Sequence, residues 1–280
     1  MKRRLDGMIC LITGASSGIG AALARALHGR GATLVLAARR EGRLAALNRT
    51  LGGGHTVVAA DVADPEACRR LVEEAYAAHG RLDTLVANAG YGISKLSWQH
   101  TPEEVRGMFA TNVFGTHDLI HHGVPRMLQQ EERDAWRGQL MLVSSAAARR
   151  GIPYLGPYAG TKAAQLSLAE ALRVELAPER IAVTSVHPAS TKSEFGSVAE
   201  REGGTSMSGI ASRGGQQTSE QVAAAMVRAI ERPAKEVWPA RRFRWLLAAN
   251  SLLPGIGDRI MTKMRRELEA ANSPDERPAS

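Results

Sequence analysis

A chain of 280 residues with 44% hydrophobic and 23% charged residues has the composition of a globular protein, which excludes a disordered or fibrous chain. Its length suits one α/β domain with a single large core. The formal charge of +8 is concentrated at 233–266, where eight basic and two acidic residues give a net +6. Because the rest of the chain is nearly neutral and carries no zinc-finger or aromatic–basic RNA-binding motif, we expect no nucleic-acid partner.

The sequence shows neither a signal-peptide pattern nor an apolar run of about 18 residues that could span a membrane. We therefore expect a cytoplasmic protein. Cys10 falls within a predicted strand and Cys68 within a predicted helix, which predicts reduced, buried thiols rather than a disulfide.

Short apolar runs alternate with helical patterns along the chain. They predict β-strands at 8–12, 33–38, 56–60, 84–87, 139–143 and 181–186, with a further strand at 237–238 left open. Three of the helical patterns begin with a capping residue: Asp64 before Pro65, Thr101 before Pro102, and Thr218 paired with Gln221. This alternation predicts an α/β fold with a doubly wound parallel sheet of the Rossmann type, in a single domain.

The first predicted strand runs into the sequence TGASSGIG at 13–20. Glycines at this point let the backbone leave the strand, approach a pyrophosphate closely and open a helix whose N-terminal amides face the phosphates. The spacing is T-G-x-x-x-G-x-G rather than G-x-G-x-x-G. We interpret this segment as a dinucleotide-binding turn, with cofactor contacts from Gly14, Ser16, Ser17, Gly18, Ile19 and Gly20.

A group of reactive side chains follows later in the chain. Tyr158 and Lys162 are four residues apart in a segment of helical character, so both side chains lie on one helix face. Ser145 stands at the end of a predicted strand, where α/β folds place ligand-contacting residues. Asn88-Ala89-Gly90 closes another strand, and Asn112 lies within a predicted helix.

With these motifs in this order, the chain resembles the single-domain branch of the short-chain dehydrogenase/reductase family over about residues 5–240. The matching elements are TGASSGIG, Asp61-Val62, Asn88-Ala89-Gly90, Asn112, and Ser145 with Tyr158-x-x-x-Lys162. The resemblance implies an NAD(P)-dependent oxidoreductase that interconverts a carbonyl and a secondary or primary alcohol. It also implies that the catalytic positions are Asn112, Ser145, Tyr158 and Lys162.

A phenol with an ordinary pKa near 10 is a poor acid or base at neutral pH. We expect the nearby Lys162 cation to lower the pKa of Tyr158 by favouring the phenolate. The resemblance implies that Lys162 also binds the cofactor ribose and that Ser145 holds the substrate oxygen. It further implies that Asn112 anchors a water molecule that relays protons to Lys162.

The cofactor preference is predicted from the end of the second strand. Ala38 stands where NAD-binding proteins usually carry an acidic residue, and the following Arg39 and Arg40 can bind a 2′-phosphate through charge-assisted hydrogen bonds. We therefore expect NADP(H), mainly through Arg39, with NAD(H) left as an alternative. The resemblance adds contacts at the adenine from Asp61 and Val62, and along the cofactor from Asn88, Ala89, Gly90, Tyr158 and Lys162.

The segment after the sixth strand departs from the family, because Pro188-Ala189 replaces the usual Pro-Gly. By resemblance, Pro188, Thr191 and Ser193 belong to the cofactor site, the last two at the nicotinamide carboxamide. We expect a substrate lid at about 190–215, with a mobile loop at 203–215.

The C-terminal part is predicted to be a basic amphipathic extension at 241–271 followed by a disordered tail at 272–280. The extension could lie on an anionic membrane surface, or pack on the substrate cleft or on a second subunit. We expect a catalytic domain at 1–240, a small-molecule carbonyl or alcohol substrate, a homodimer or homotetramer, and no metal site. A non-catalytic NADP(H)-binding regulatory or redox-sensing protein of the same fold remains the alternative.

Overall fold

A seven-stranded parallel sheet forms the centre of the computed structural model, which describes residues 2–207 and 216–272. Its strands are β1 (Ile9–Thr13), β2 (Thr33–Ala38), β3 (Thr56–Ala59), β4 (Thr84–Ala87), β5 (Gly138–Val143), β6 (Ile181–Val186) and β9 (Glu236–Val237), in the spatial order β3-β2-β1-β4-β5-β6-β9. Two short strands, β7 (Thr191–Lys192) and β8 (Gln217–Thr218), pair separately. The predicted doubly wound parallel sheet is therefore confirmed, including the seventh strand that the sequence left open.

Helices flank the sheet on both faces. They are α1 (Gly18–His28), α2 (Glu41–Thr50), α3 (Pro65–His79), α4 (Pro102–Phe109), α5 (Gly115–Gln129), α6 (Gly156–Glu175), α7 (Glu194–Gly203), α8 (Ser219–Glu231), α9 (Arg241–Leu252) and α10 (Pro254–Ala271). A π-helical turn at Ala110–Phe114 joins α4 to α5. The predicted caps are confirmed, because Asp64 accepts from the Glu66 amide and Thr101 and Thr218 each form a capping box.

Two apolar layers bury the sheet, one on each face. Along β1, Cys10 and Ile12 join one layer with α1 and α8, whereas Ile9 and Leu11 join the other with α3 and α5. Successive side chains of a strand point to opposite faces, so a strand covered on both sides consists of apolar residues throughout. Both cysteines are free and buried, as predicted.

The order of the strands fixes the place of a ligand site. The chain leaves β1 toward β2 and β3 on one side and continues with β4, β5 and β6 on the other. Open α/β sheets bind ligands at the carboxyl ends of the strands where the order reverses in this way. All but five residues of the predicted loop at 203–215, and all of the predicted tail except Asn272, lie outside the described residues.

Candidate active site

The glycine-rich turn after β1 packs against the loop after β4. Gly14 has a φ of +64°, and a Cβ on it would lie 2.9 Å from the Cα of Ala89. A Cβ on Gly20 would lie only 2.4 Å from the carbonyl oxygen of Gly14. Glycine is therefore required at both positions for the close approach of the two loops.

The N-terminus of α1 fits an anionic group. Its N-cap, Ser17, makes no side-chain capping hydrogen bond, and the first turn contains no acidic residue. The first amides of a helix lack partners within the helix and carry a partial positive charge. A pyrophosphate of a dinucleotide can therefore be held by this turn, which is the role expected from the sequence.

Asn88 connects the ends of two strands. Its side-chain amide donates to the carbonyl oxygen of Thr13 at 2.8 Å, and its main-chain amide donates to the Thr13 hydroxyl at 3.0 Å. Ala89 donates to the same hydroxyl at 3.1 Å. The predicted cofactor residues Asn88 and Ala89 thus hold the β4 loop beside the glycine-rich turn.

The basic residues after β2 differ in what they contact. Arg39 is largely exposed and lies 3.9 Å from a carboxylate oxygen of Asp61. Arg40 reaches the glycine-rich turn, where it donates to the hydroxyls of Ser16 at 3.1 Å and Ser17 at 2.9 Å.

Two further residues of this region, Arg43 and Glu194, were not predicted from the sequence. Arg40 pairs with Glu194 at 3.0 Å, and Arg43 pairs with the other oxygen of the same carboxylate. Arg43 lies three residues after Arg40, at the start of α2, a spacing that places both on one helix face. Glu194 is the first residue of α7, so this helix contributes the carboxylate.

Three elements bring the predicted catalytic residues together: α6, the π-helical turn and the end of β5. Tyr158 and Lys162 lie on α6 with 8% and 4% exposure, and Asn112 is fully buried in the π-helical turn. The Lys162 Nζ lies 5.7 Å from the centre of the Tyr158 ring. Ser145 follows β5. Burial raises the pKa of the Tyr158 phenol, and the Ser145 side chain lowers it in part.

The expected effect of Lys162 on Tyr158 is absent from this arrangement. Burial dominates and raises the pKa of Tyr158 to about 12, and it lowers the pKa of Lys162 to about 7. The Lys162 Nζ donates to the carbonyl oxygen of Val143 and to the Gln165 Oε1, both at 2.9 Å. In this arrangement the lysine is directed to these oxygens and burial opposes its charge, so the lowering of the Tyr158 pKa by Lys162 stays a prediction.

Gln165 is a further residue that the sequence analysis missed. Its Nε2 donates to the carbonyl oxygen of Asn112 at 2.6 Å, while its Oε1 accepts from Lys162. The side chain of Asn112 is also held in place, by both main-chain groups of Tyr91 and by Thr161. A polar residue three positions after Lys162, between apolar neighbours of a buried helix, was the available signal.

The segment after β6 lies against the same turn. Ser193 caps α7 by accepting a hydrogen bond from the Phe195 amide at 3.3 Å. A Cβ on Gly18 would lie 3.4 Å from the Cβ of Ser193. Thr191 donates to the carbonyl oxygen of Ala189 at 2.9 Å, and Pro188 accepts from the Ala146 amide at 2.9 Å. The φ of Ala189 is not positive, so the backbone at this position does not require the glycine that the family usually carries.

An apolar cluster surrounds the Tyr158 ring. Ile93, Met108 and Ala147 are buried with it, and the ring of Phe195 on α7 lies 5.0 Å away. Helix α7, which lies within the predicted lid, therefore covers Tyr158 with an aromatic side chain. Within 2–207 and 216–272, no group of three or more His, Cys, Asp or Glu side chains is placed to hold a metal ion.

The C-terminal helices run beside this site. Arg150, just after the Ser145 turn, pairs with Asp258 on α10, and Asn272 accepts from the Ser206 amide at 2.9 Å. Trp245, Leu246, Leu253, Ile256 and Ile260 on or between these helices are all more than half exposed. Among the helices of the described residues, none is long and apolar enough to cross a membrane.

Solved structures with similar folds include those of two bacterial oxidoreductases. A short chain dehydrogenase/reductase from Burkholderia phymatum in complex with NAD has a TM-score of 0.80 and 26% identity, covering 90% of this chain and 96% of that one. A 3-ketoacyl-(acyl-carrier-protein) reductase from Brucella melitensis complexed with NADH has a TM-score of 0.74 and 27% identity, covering 85% and 99%.

Related sequences include plant and bacterial proteins. The 11-beta-hydroxysteroid dehydrogenase-like 4A of Arabidopsis thaliana is 37% identical over 190 residues, 66% of this chain and 61% of that protein's length. For the 11-beta-hydroxysteroid dehydrogenase 1A of the same plant, the identity is 38% over 198 residues, 68% of this chain and 54% of the relative. The uncharacterized oxidoreductase YxnA of Bacillus subtilis (strain 168) is 31% identical over 289 residues, 97% of this chain and 76% of the relative.

The match thus spans less than two thirds of the length of these plant relatives. Residues 8–202, which include every predicted catalytic residue, match the family described as short chain dehydrogenase. The chain therefore belongs to the short-chain dehydrogenase/reductase family.

Proposed function

We propose that the protein is an oxidoreductase that interconverts a carbonyl and an alcohol with a nicotinamide cofactor, using NADP(H) in preference to NAD(H). The observation that carries this proposal is that Tyr158 and Lys162 are buried together on α6, with the Lys162 Nζ 5.7 Å from the centre of the Tyr158 ring and the Ser145 side chain near the phenol. Family membership supports the same reaction class.

The chemistry assigned to the side chains follows from their protonation. In carbonyl reduction Tyr158 is the acid that gives its proton to the substrate oxygen, and the Ser145 hydroxyl donates a hydrogen bond to that same oxygen. The nicotinamide, when bound, supplies the hydride. A Tyr158 pKa of about 12 keeps the phenol protonated before the reaction. In the reverse direction Tyr158 accepts the proton, which requires Lys162 in its charged form to favour the phenolate.

The cofactor would be held by residues at the carboxyl ends of the strands, around the N-terminus of α1. The free amides at the start of α1 suit the pyrophosphate, and Asp61 with Val62 lies beyond β3 at the adenine end. Gly90 leaves room beside Lys162, because a Cβ there would lie 3.3 Å from the Nζ. Gly90 therefore lets the loop after β4 approach the buried Lys162, to which the family resemblance assigns the cofactor ribose.

The preference for NADP(H) is supported by the basic cluster of Arg40 and Arg43. These two guanidinium groups already hold the Glu194 carboxylate, and the same fork geometry suits a phosphate. Ala38 adds no acidic group that would repel one. Arg39, on which the sequence prediction depended, is a weaker candidate than Arg40 because it points toward Asp61.

The substrate class is suggested by the surroundings of Tyr158. The ring is buried among Ile93, Met108 and Phe195, which favour an apolar carbonyl compound. We therefore propose apolar ketones, aldehydes or the corresponding alcohols as substrates.

The experiment is a screen of ketones, aldehydes and quinones with NADPH and with NADH, followed by absorbance at the nicotinamide band. We expect turnover of apolar compounds with a higher kcat/KM for NADPH.

Arg40→Ala should reduce NADPH affinity by about tenfold and NADH affinity by less than twofold, since only NADPH carries the 2′-phosphate. Arg49→Ala, at the far end of α2, is the matched control. Tight cofactor binding without turnover of any compound would favour the regulatory alternative instead.

The C-terminal helices favour a second, additional property. The exposed apolar residues of α9 and α10 lie among Arg241, Arg242, Arg244, Arg259 and Lys263. We propose that this surface binds anionic lipid headgroups while the enzyme is cytoplasmic and homo-oligomeric.

A further inference from the structure

Gln165 lies one helical turn after Lys162 and is 1% exposed. Its Oε1 accepts from the Lys162 Nζ at 2.9 Å. Its Nε2 donates to the carbonyl oxygen of Asn112 at 2.6 Å and to the Thr116 hydroxyl at 2.8 Å. Both ends of the amide are therefore used, one on each of two predicted catalytic residues.

This arrangement differs from the one implied by the family resemblance. There Asn112 anchors a water molecule that relays protons to Lys162, and here the Gln165 amide joins the same two residues through its own hydrogen bonds. A side-chain amide does not release one proton while accepting another as a water molecule does. Its effect is to hold the groups that it joins.

We propose that Gln165 is a positioning residue of the active site, which fixes the Lys162 side chain by bridging it to the main chain of the π-helical turn. The effect of this bridge on catalysis rests on the proposed function, whereas its effect on Lys162 does not. Removal of the acceptor oxygen would leave Lys162 with Val143 as its hydrogen-bond partner among the described residues.

The titration of Lys162 should report this contact. Tyr158 on α6 is the titratable group that faces it, at 5.7 Å from the ring centre, while β5 and the π-helical turn present the uncharged Ser144, Asn112 and Thr116. Burial opposes the ammonium, and an acceptor oxygen favours it. Loss of the Gln165 oxygen should therefore make Lys162 lose its proton at a lower pH.

The test uses Gln165→Met, which keeps the length of the side chain without its polar atoms. The second variant is Gln165→Asn, which keeps the amide but is one methylene too short to reach both partners. It keeps the test decisive if the Met variant does not fold. The matched control is Gln139→Met, because Gln139 is a buried glutamine that bonds to Arg3, Thr184 and Ala229 rather than to Lys162.

The first measurement is a pH titration of the full chain labelled with ¹³C at the lysine ε-carbon, with Lys162→Met to assign the signal. We expect the Lys162 midpoint to fall by half a pH unit or more in both Gln165 variants and to stay unchanged in Gln139→Met. An unchanged midpoint in both Gln165 variants, or an equal fall in the control, would overturn the proposal.

The second measurement is the steady-state rate with the best carbonyl substrate of the screen. We expect kcat to fall about tenfold in Gln165→Met while the Kd for NADPH changes by less than threefold. A wild-type kcat in the presence of a shifted Lys162 titration would contradict the positioning role in catalysis. A shifted titration in a chain that reduces no compound would support the bridge and refute the proposed function.

Discussion

Lys162 shows how burial decides the state of a residue whose type alone predicts a cation. It is 4% exposed, and burial lowers its pKa to about 7. Burial therefore weakens the preference of this residue for its charged form. The sequence predicted a charged lysine that lowers the pKa of Tyr158, but desolvation depends on the packing of β5 and the π-helical turn, which spacing does not show.

Removal of the phenol oxygen is the direct test of Tyr158. We expect Tyr158→Phe to lose about 10²–10⁴-fold in kcat/KM, because the ring remains packed against Phe195 while the proton donor is gone. Cofactor affinity should stay within twofold, measured by fluorescence titration. The control is Tyr76→Phe, whose hydroxyl bonds to Gln130 outside the site. A Tyr158→Phe rate above a tenth of wild type would contradict the assignment.

His187 predicts a loss of stability in acid. Burial lowers its pKa to about 4 from an ordinary value of about 6.5, and its ring bonds to Ser145 and Ser185. Between these pH values the unfolded chain binds a proton that the folded chain does not, so the free energy of unfolding should fall by about 1–3 kcal/mol as pH drops from 6.5 to 4.

Urea unfolding at pH 7.5, 6 and 5 measures this effect. His187→Gln should show a weaker pH dependence over this range, whereas His117→Gln, at an exposed position, should follow the wild type. Parallel pH profiles for wild type and His187→Gln would show that another group is responsible.

At the scale of elements, the strands were predictable because the signal is local. Every residue of β1, β4, β5 and β6 is buried, which the apolar runs record directly. The capping residues of α3, α4 and α8 are local signals as well. In contrast, the contact of Arg43 with Glu194 joins α2 to α7 across 151 positions, and neither charge shows its partner in the sequence.

That contact connects the lid to the basic cluster and yields a prediction for α7. If the Glu194 carboxylate competes with the 2′-phosphate for Arg40 and Arg43, Glu194→Gln should bind NADPH about threefold more tightly. The effect is small because a partly exposed ion pair contributes roughly 0.2–1 kcal/mol. NADH affinity should not change, since NADH lacks the phosphate.

Isothermal titration with NADPH and NADH checks this prediction. Glu202→Gln is the control, because Glu202 lies on the same helix and pairs with its neighbour Arg201. Equal gains for both cofactors would mean that Glu194 obstructs the nucleotide as a whole rather than the phosphate.

For the whole molecule, the excess positive charge lies at the edge beside the active site. Asp258 and Asn272 on and after α10 contact Arg150 and Ser206 near the site, so the helices pack on the catalytic domain as well as exposing an apolar surface. Contact with an anionic membrane and packing on the substrate cleft or on a second subunit were the alternatives predicted from the sequence. The arrangement allows both, because Leu268 of α10 is buried whereas Trp245 and Ile260 remain exposed.

Trp245, which is 70% exposed, provides the probe for membrane contact. Addition of anionic vesicles at low salt should shift its fluorescence to the blue, and 0.5 M NaCl should reverse the shift because the Debye length falls below about 5 Å. Trp245→Phe should abolish the shift, which separates it from the exposed Trp98. Replacing Arg241 and Arg242 by Glu should weaken cosedimentation with anionic vesicles by at least tenfold, since each basic residue contributes about 1 kcal/mol at such a surface. Equal binding to neutral and anionic vesicles, or none to either, would leave packing on the domain as the role of these helices.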